Sequence, residues 1–137
     1  MTQEDKELLL KDLCARLPYG VIVNVKGFDY DYNDKLTQIY KGVGCSIQVT
    51  TNMPYDIEQV KPYLFPLSSM TEEQEKEYAL LQTSAGKEGF LYVWNCATMM
   101  KWLLENHFDY NGLIQKGLAI DATGLNIYYK GNDKKIF

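Results

Sequence analysis

The hydrophobic period of this chain first changes at Pro18-Tyr19-Gly20, and that change limits what it can fold into. Ahead of it, Leu9, Leu10, Leu13, Cys14 and Leu17 recur at the three- and four-residue spacing of one helical face. Thr2 can cap that helix, and Glu4 and Asp5 fall in its first turn, where the helix dipole favours acids. Proline and glycine end it at about Leu17. Behind the break, Val21–Lys26, Lys35–Lys41 and Cys45–Thr51 are rich in β-branched and aromatic residues. Val21, Val23 and Val25 alternate with Ile22, Asn24 and Lys26; Cys45, Ile47 and Val49 alternate with Ser46, Gln48 and Thr50. This predicts a three-stranded antiparallel meander with one buried face, which helices must cover.

The second half of the chain supplies those helices. Asp56 can cap a short turn over Ile57–Val60, and KPYLFPLSS reads as an extended, irregular apolar stretch because two prolines restrict it. Thr71 with Gln74 forms a capping box for a helix reaching about Ser84, with Glu72, Glu73 and Glu75 at its start. GFLYVW suits either a fourth strand or the lead-in to a helix. Asn95 can cap a helix whose stripe is Cys96, Met99, Met100, Leu103 and His107. LAIDA and LNIYY have strand-like composition. The fold class is α+β: an N-terminal helix, the antiparallel meander, then C-terminal helices packed on the sheet. Residues 1–129 form one domain and 130–137 a polar tail.

Charge excludes one class of function. Arg16 is the only arginine, and the two halves of the chain carry the same balance, seven cations to nine acids. No basic arm follows a phosphate backbone, and bidentate base readout has almost no guanidinium to work with. Sequence-specific nucleic-acid binding is therefore not expected. No apolar run approaches the ~20 residues that span a bilayer, and the start of the chain lacks a signal-peptide pattern. Cys14, Cys45 and Cys96 are widely spaced, which suggests reduced, mostly buried thiols in a cytoplasmic protein.

Candidate chemistry is sparse. His107 is the sole histidine, set among aromatics and acids in NHFDYNG. Eleven residues along one helix separate it from Cys96 by about 16 Å, too far to share a proton. One imidazole and one carboxylate leave a metal site short of ligands. DYDYND (Asp29–Asp34) imitates the start of a calcium loop, but Asp34 stands where the turn needs glycine and Tyr40 where a bidentate glutamate belongs. Gly42-Val43-Gly44 fits a hairpin turn rather than a dinucleotide fingerprint, and Ser68-Ser69 lack a nucleophile elbow. The residues support no cofactor. Phe28, Asp29, Tyr30, Asp31 and Tyr32 suit a contact patch instead, because stiff aromatics among acids make good interface residues.

KDLCARLPYGV (Lys11–Val21), VKPYLFPLSSMTEEQ (Val60–Gln74) and HFDYNGLIQKGLAIDATGLNIY (His107–Tyr128) resemble a family of short uncharacterised proteins of Bacteroides-type gut bacteria and their phages and prophages. The three blocks cover 48 of 137 positions. The resemblance implies a small accessory protein concerned with host takeover, counter-defence or regulation. The leading expectation is a non-enzymatic interaction protein with a protein partner, no membrane contact, and surfaces at Phe28–Tyr32 and at His107, Asp109 and Tyr110. The alternative is a ligand-binding protein or enzyme with a pocket between sheet and helices and with His107 and Asp109 at its mouth.

Overall fold

The computed structural model describes residues 1–27, 29–42, 44–49, 54–83 and 89–128, with side chains left out of the description at 41–54 and 83–95. The first helix, α1 (Gln3–Arg16), begins as its residues require. Asp5 donates its backbone N–H to Thr2 Oγ1 at 3.1 Å, and Thr2 donates its own to Asp5 Oδ2 at 3.3 Å. Pro18 enters a single 3-10 turn, and Gly20 takes a φ of 73°, which costs a glycine nothing.

Four strands then run β1 (Ile22–Lys26), β2 (Asp31–Gly42), β3 (Gly44–Val49) and β4 (Pro54–Asp56), each antiparallel to the one before. β5 (Val60–Pro66) returns along the other side of β1, again antiparallel. Two short strands, β6 (Phe108–Asp109) and β7 (Ile120–Asp121), each pair in parallel with β5. The sheet is therefore seven-stranded and mixed, in the order β4-β3-β2-β1-β5-β6 with β7 beside β5, and not an antiparallel meander of three.

KPYLFPLSS is the largest correction. It is not irregular, for its first part is a strand inside the sheet. Pro62 stands opposite Val23 at the last rung of the β1 ladder, and the β7 ladder starts at Tyr63. Pro66 is the last residue of β5. Both prolines thus occupy positions where a missing N–H interrupts the hydrogen bonding least.

Two further helices complete the fold. α2 (Glu72–Thr83) opens with the capping box of Thr71 and Gln74, through bonds of 2.9 and 3.1 Å. α3 (Gly89–Glu105) starts well before Asn95, which lies inside the helix rather than at its cap, so GFLYVW is helical. Beyond α3, LAIDA contributes only β7, and Leu125–Tyr128 form turns rather than a strand. The tail at 130–137 lies outside the described residues.

The core joins Leu9 and Leu13 of α1 to Val21, Val23 and Val25, Leu36, Val60, Leu64, Leu113 and Leu118. The valine alternation is met in full, for all three valines are inaccessible to solvent. The face of α1 is turned from the expected one. Its buried set is Leu9, Asp12, Leu13 and Arg16, while Cys14 is exposed. A chain of rings carries the core out to the helical pair: Tyr78 to Trp102 at 5.5 Å, Trp102 to Phe108 at 5.6 Å and Phe108 to Phe65 at 6.3 Å between centroids.

Candidate functional site

The β1–β2 connection carries the acid–aromatic run. Lys26 pairs with Asp31, so the hairpin closes earlier than the sequence suggested, and Asp31, Tyr32, Asn33 and Asp34 belong to β2. Phe28 lies outside the described residues. Asp29 and Asp31 are exposed, and Tyr30 is 71% exposed at the tip. Tyr32 behaves differently. Its hydroxyl lies 2.6 Å from that of Tyr55, and its ring packs against the core at half exposure. Tyr32 lies within β2 and packs inward, whereas Tyr30 stands in the turn before that strand begins.

His107 is not on the stripe of α3. The helix stops at Glu105, and His107 follows in the left-handed region with φ of 60°, its N–H donated to Leu104 O at 3.1 Å. Its carbonyl accepts the Phe65 N–H at 2.8 Å, which starts the β6 ladder. The side chain is only 6% exposed and stacks on Tyr128 with ring centroids 3.7 Å apart. Tyr128 is tied on both sides. Its hydroxyl accepts the Ile22 N–H at 2.8 Å and donates to Tyr63 O at 2.9 Å. Burial pushes its phenol well above the ordinary range, outweighing the Ile22 bond and the nearby Arg16 charge. A pocket of about 330 Å3 opens beside this pair, lined by Phe65, Ser69, Gln74, Asn106, His107 and Tyr128 among others.

Asp109 is not at that pocket. It is 8% exposed, and its two carboxylate oxygens accept the N–H groups of Leu113 and Ile114, each at 3.0 Å. It caps the turn that follows β6, as a short acid does where a turn leaves N–H groups unpaired. Tyr110 is half-buried, its ring centroid 5.1 Å from Arg16 Cζ. Burial and the Asp12 charge raise its phenol, and Arg16 pulls it back only in part.

Arg16 is the residue that sequence reasoning passed over. It is fully buried, donates from Nε to Asp12 Oδ2 at 2.6 Å, and donates from Nη2 to Phe108 O at 2.8 Å. Asn111 donates to the other Asp12 oxygen at 2.9 Å. Arg16 Nη1 has no hydrogen-bond partner among the described residues, and the face of Tyr110 offers the guanidinium a weaker, cation–π contact. The signal was present as an acid and a base four apart on one helix.

A second depression, of about 700 Å3, lies between α1 and β2. Leu10, Cys14, Ile39, Tyr40 and Ile57 supply its apolar lining; Glu7, Asp56 and Glu58 supply exposed carboxylates. Lys6 is the lining cation, and its Nζ is 3.0 Å from Glu58 Oε2, a contact that lowers the Glu58 carboxyl below its ordinary range. Nothing local in the sequence announces this groove, because it forms between two elements far apart in the chain.

Among the described residues, no group of three or more His, Cys, Asp or Glu side chains is placed to hold a metal ion, and no helix is long and apolar enough to cross a membrane. Compared with protein-family models, with curated proteins and with solved structures, the chain matches none.

Proposed function

We propose that this chain is a non-enzymatic protein-interaction module, a small accessory protein of phage or mobile-element type that acts in the cytoplasm on a protein partner. The carrying observation is Tyr30, a large aromatic held in solvent at a hairpin tip between two exposed acids. Such a ring has few rotors to immobilise and much area to bury, which is what interface anchors need. The phage association rests on the three sequence blocks and on nothing else. The surface around His107 and Asp109 drops out of this reading, since both side chains are buried for structural ends. The test is affinity capture on the wild-type chain and on Tyr30→Ala, followed by mass spectrometry. A partner retained by the wild type and lost by the variant, at equal melting temperature, supports the reading. Equal capture by both removes the hairpin tip as the contact.

A second reading has one observation in its favour. The 330 Å3 pocket beside His107 and Tyr128 is small but carries polar groups of several kinds, which suits a small ligand. A thermal-shift screen with a library of common metabolites tests it. Stabilisation by a compound that fails to act on Gln74→Ala supports a ligand site there, and a flat screen removes it.

A further inference from the structure

β2 is twelve residues long, but β1 pairs with only its first five, from Asp31 to Lys35. Leu36 adds one bond to Val21 O, and from Gln38 to Gly42 the strand pairs with β3 alone among the described residues. Among the described residues, no strand lies beside the backbone N–H and C=O groups of its other edge there. An open edge of this kind is a template for another strand. The 700 Å3 groove runs beside it, since Ile39 and Tyr40 line that groove together with Leu10 and Cys14 of α1. Edge and groove therefore offer main-chain pairing and a place for apolar side chains.

We propose that the edge of β2 beyond Gln38 and the groove between it and α1 receive an extended segment of a partner protein, with alternating apolar residues and at least one lysine or arginine, as an added strand. The charge around the groove selects the occupant. Glu7, Asp56 and Glu58 are exposed there, and Lys6, the lining cation among the described side chains, is already paired with Glu58. A basic segment gains from that balance and an acidic one is repelled. The apolar lining favours alternate side chains turned towards α1, with their neighbours in solvent. This inference rests on the reading of the chain as an interaction module and gives that module a second surface.

The test pans a phage-displayed random dodecapeptide library on the immobilised full chain, on Cys14→Arg, on Glu58→Lys and on Tyr30→Ala. Cys14 and Glu58 are both exposed, and unchanged melting temperatures confirm that the variants fold. The expected peptides alternate apolar with polar residues, carry lysine or arginine, and bind about tenfold more weakly to the two groove variants while binding Tyr30→Ala as well as wild type. Hydrogen exchange slows, when they bind, at those of Gln38, Ile39 and Tyr40 whose N–H groups face away from β3. Acidic consensus peptides, no enrichment, or binding indifferent to both groove variants overturns the proposal. Peptides lost only on Tyr30→Ala overturn it as well, yet leave the interaction reading in place. Self-association abolished by Cys14→Arg would make a second copy the occupant, and binding that appears only after deletion of 129–137 would make it the chain's own tail. Either result overturns the proposal.

Discussion

Arg16 and Asp12 meet 2.6 Å apart with neither side chain exposed, and the only arginine of the chain is spent on holding α1 to the segment after α3. Removing one member strands the other charge where water cannot reach it. Asp12→Ala is expected to destabilise the fold by about 3–5 kcal/mol. Replacing both by apolar residues, as in Asp12→Leu with Arg16→Met, should cost much less, although Phe108 O and Asn111 lose a partner. Urea unfolding of the two single variants and the double variant measures the difference. A double variant no more stable than the worse single one would show that the pair itself stabilises.

The two tyrosines of the β1–β2 hairpin separate contact from stability. Tyr30→Ala should leave stability within about 0.5 kcal/mol of wild type, as for an exposed surface position. Tyr32→Phe deletes the hydroxyl that meets Tyr55 and should cost about 0.5–1.5 kcal/mol. Thermal melts of both variants check the order.

Much of the fold can be read from local pattern, and the exceptions share one cause. Val21, Val23 and Val25 are inside because alternation over a strand leaves one face to bury. Leu9 and Leu13 are inside because four-residue spacing on a helix does the same. Cys14 and Arg16 defeat the pattern, since hydropathy assigns the thiol inward and the guanidinium outward. The bond that reverses this, from Arg16 to Phe108 O, spans 92 residues and has no local trace. VKPYLFP misleads for a related reason: its prolines argue against a strand until the ladder ends at Pro62 are known. At the surfaces, Tyr30 was legible as an exposed aromatic. Tyr32 was not, because Tyr55 lies two strands further along the chain, and His107 was misplaced because α3 stops two residues short of it.

Asp109 tests the reading of the acids as structural. Asp109→Ala removes the acceptor of two backbone N–H groups in a buried turn and should cost about 1–3 kcal/mol. Asp109→Asn keeps an acceptor oxygen and should recover part of that loss. Chemical denaturation of both variants, with capture of any partner by the folded fraction, shows whether Asp109 matters beyond stability.

Alkaline pH should weaken the fold through Tyr128. Its folded value is raised by burial above the ordinary phenol value of about 10, so the native state holds a proton that the unfolded chain releases first. The stabilising contribution is complete below about pH 10 and is lost as pH rises from there towards the folded value. Urea midpoints between about pH 8 and 11 should fall at the alkaline end. Tyr128→Phe should flatten that fall, leaving the smaller part due to Tyr110. An unchanged slope would place the alkaline sensitivity elsewhere.

Both free cysteines that the structure describes should react in the native state. Cys14 and Cys96 are exposed, so brief treatment with iodoacetamide is expected to modify both without denaturant. Intact-mass measurement followed by peptide mapping counts and locates the adducts. Protection of Cys14 alone by a bound peptide would be consistent with an occupied groove.

The hydroxyl of Tyr128 holds Ile22 and Tyr63, residues 106 and 65 positions earlier, and the Arg16 guanidinium reaches forward to Phe108. The β-strands at the start of the chain thus find their last neighbours only when its final described residues arrive. During synthesis, the early helix and hairpins must wait on the ribosome with their apolar faces uncovered until the segment through Tyr128 emerges. For a sheet closed by such distant pairings, assembly is slow and the unfinished chain is sticky. Truncation just before Tyr128 would leave a nascent chain for the cell's chaperones and proteases rather than a shorter version of the same domain.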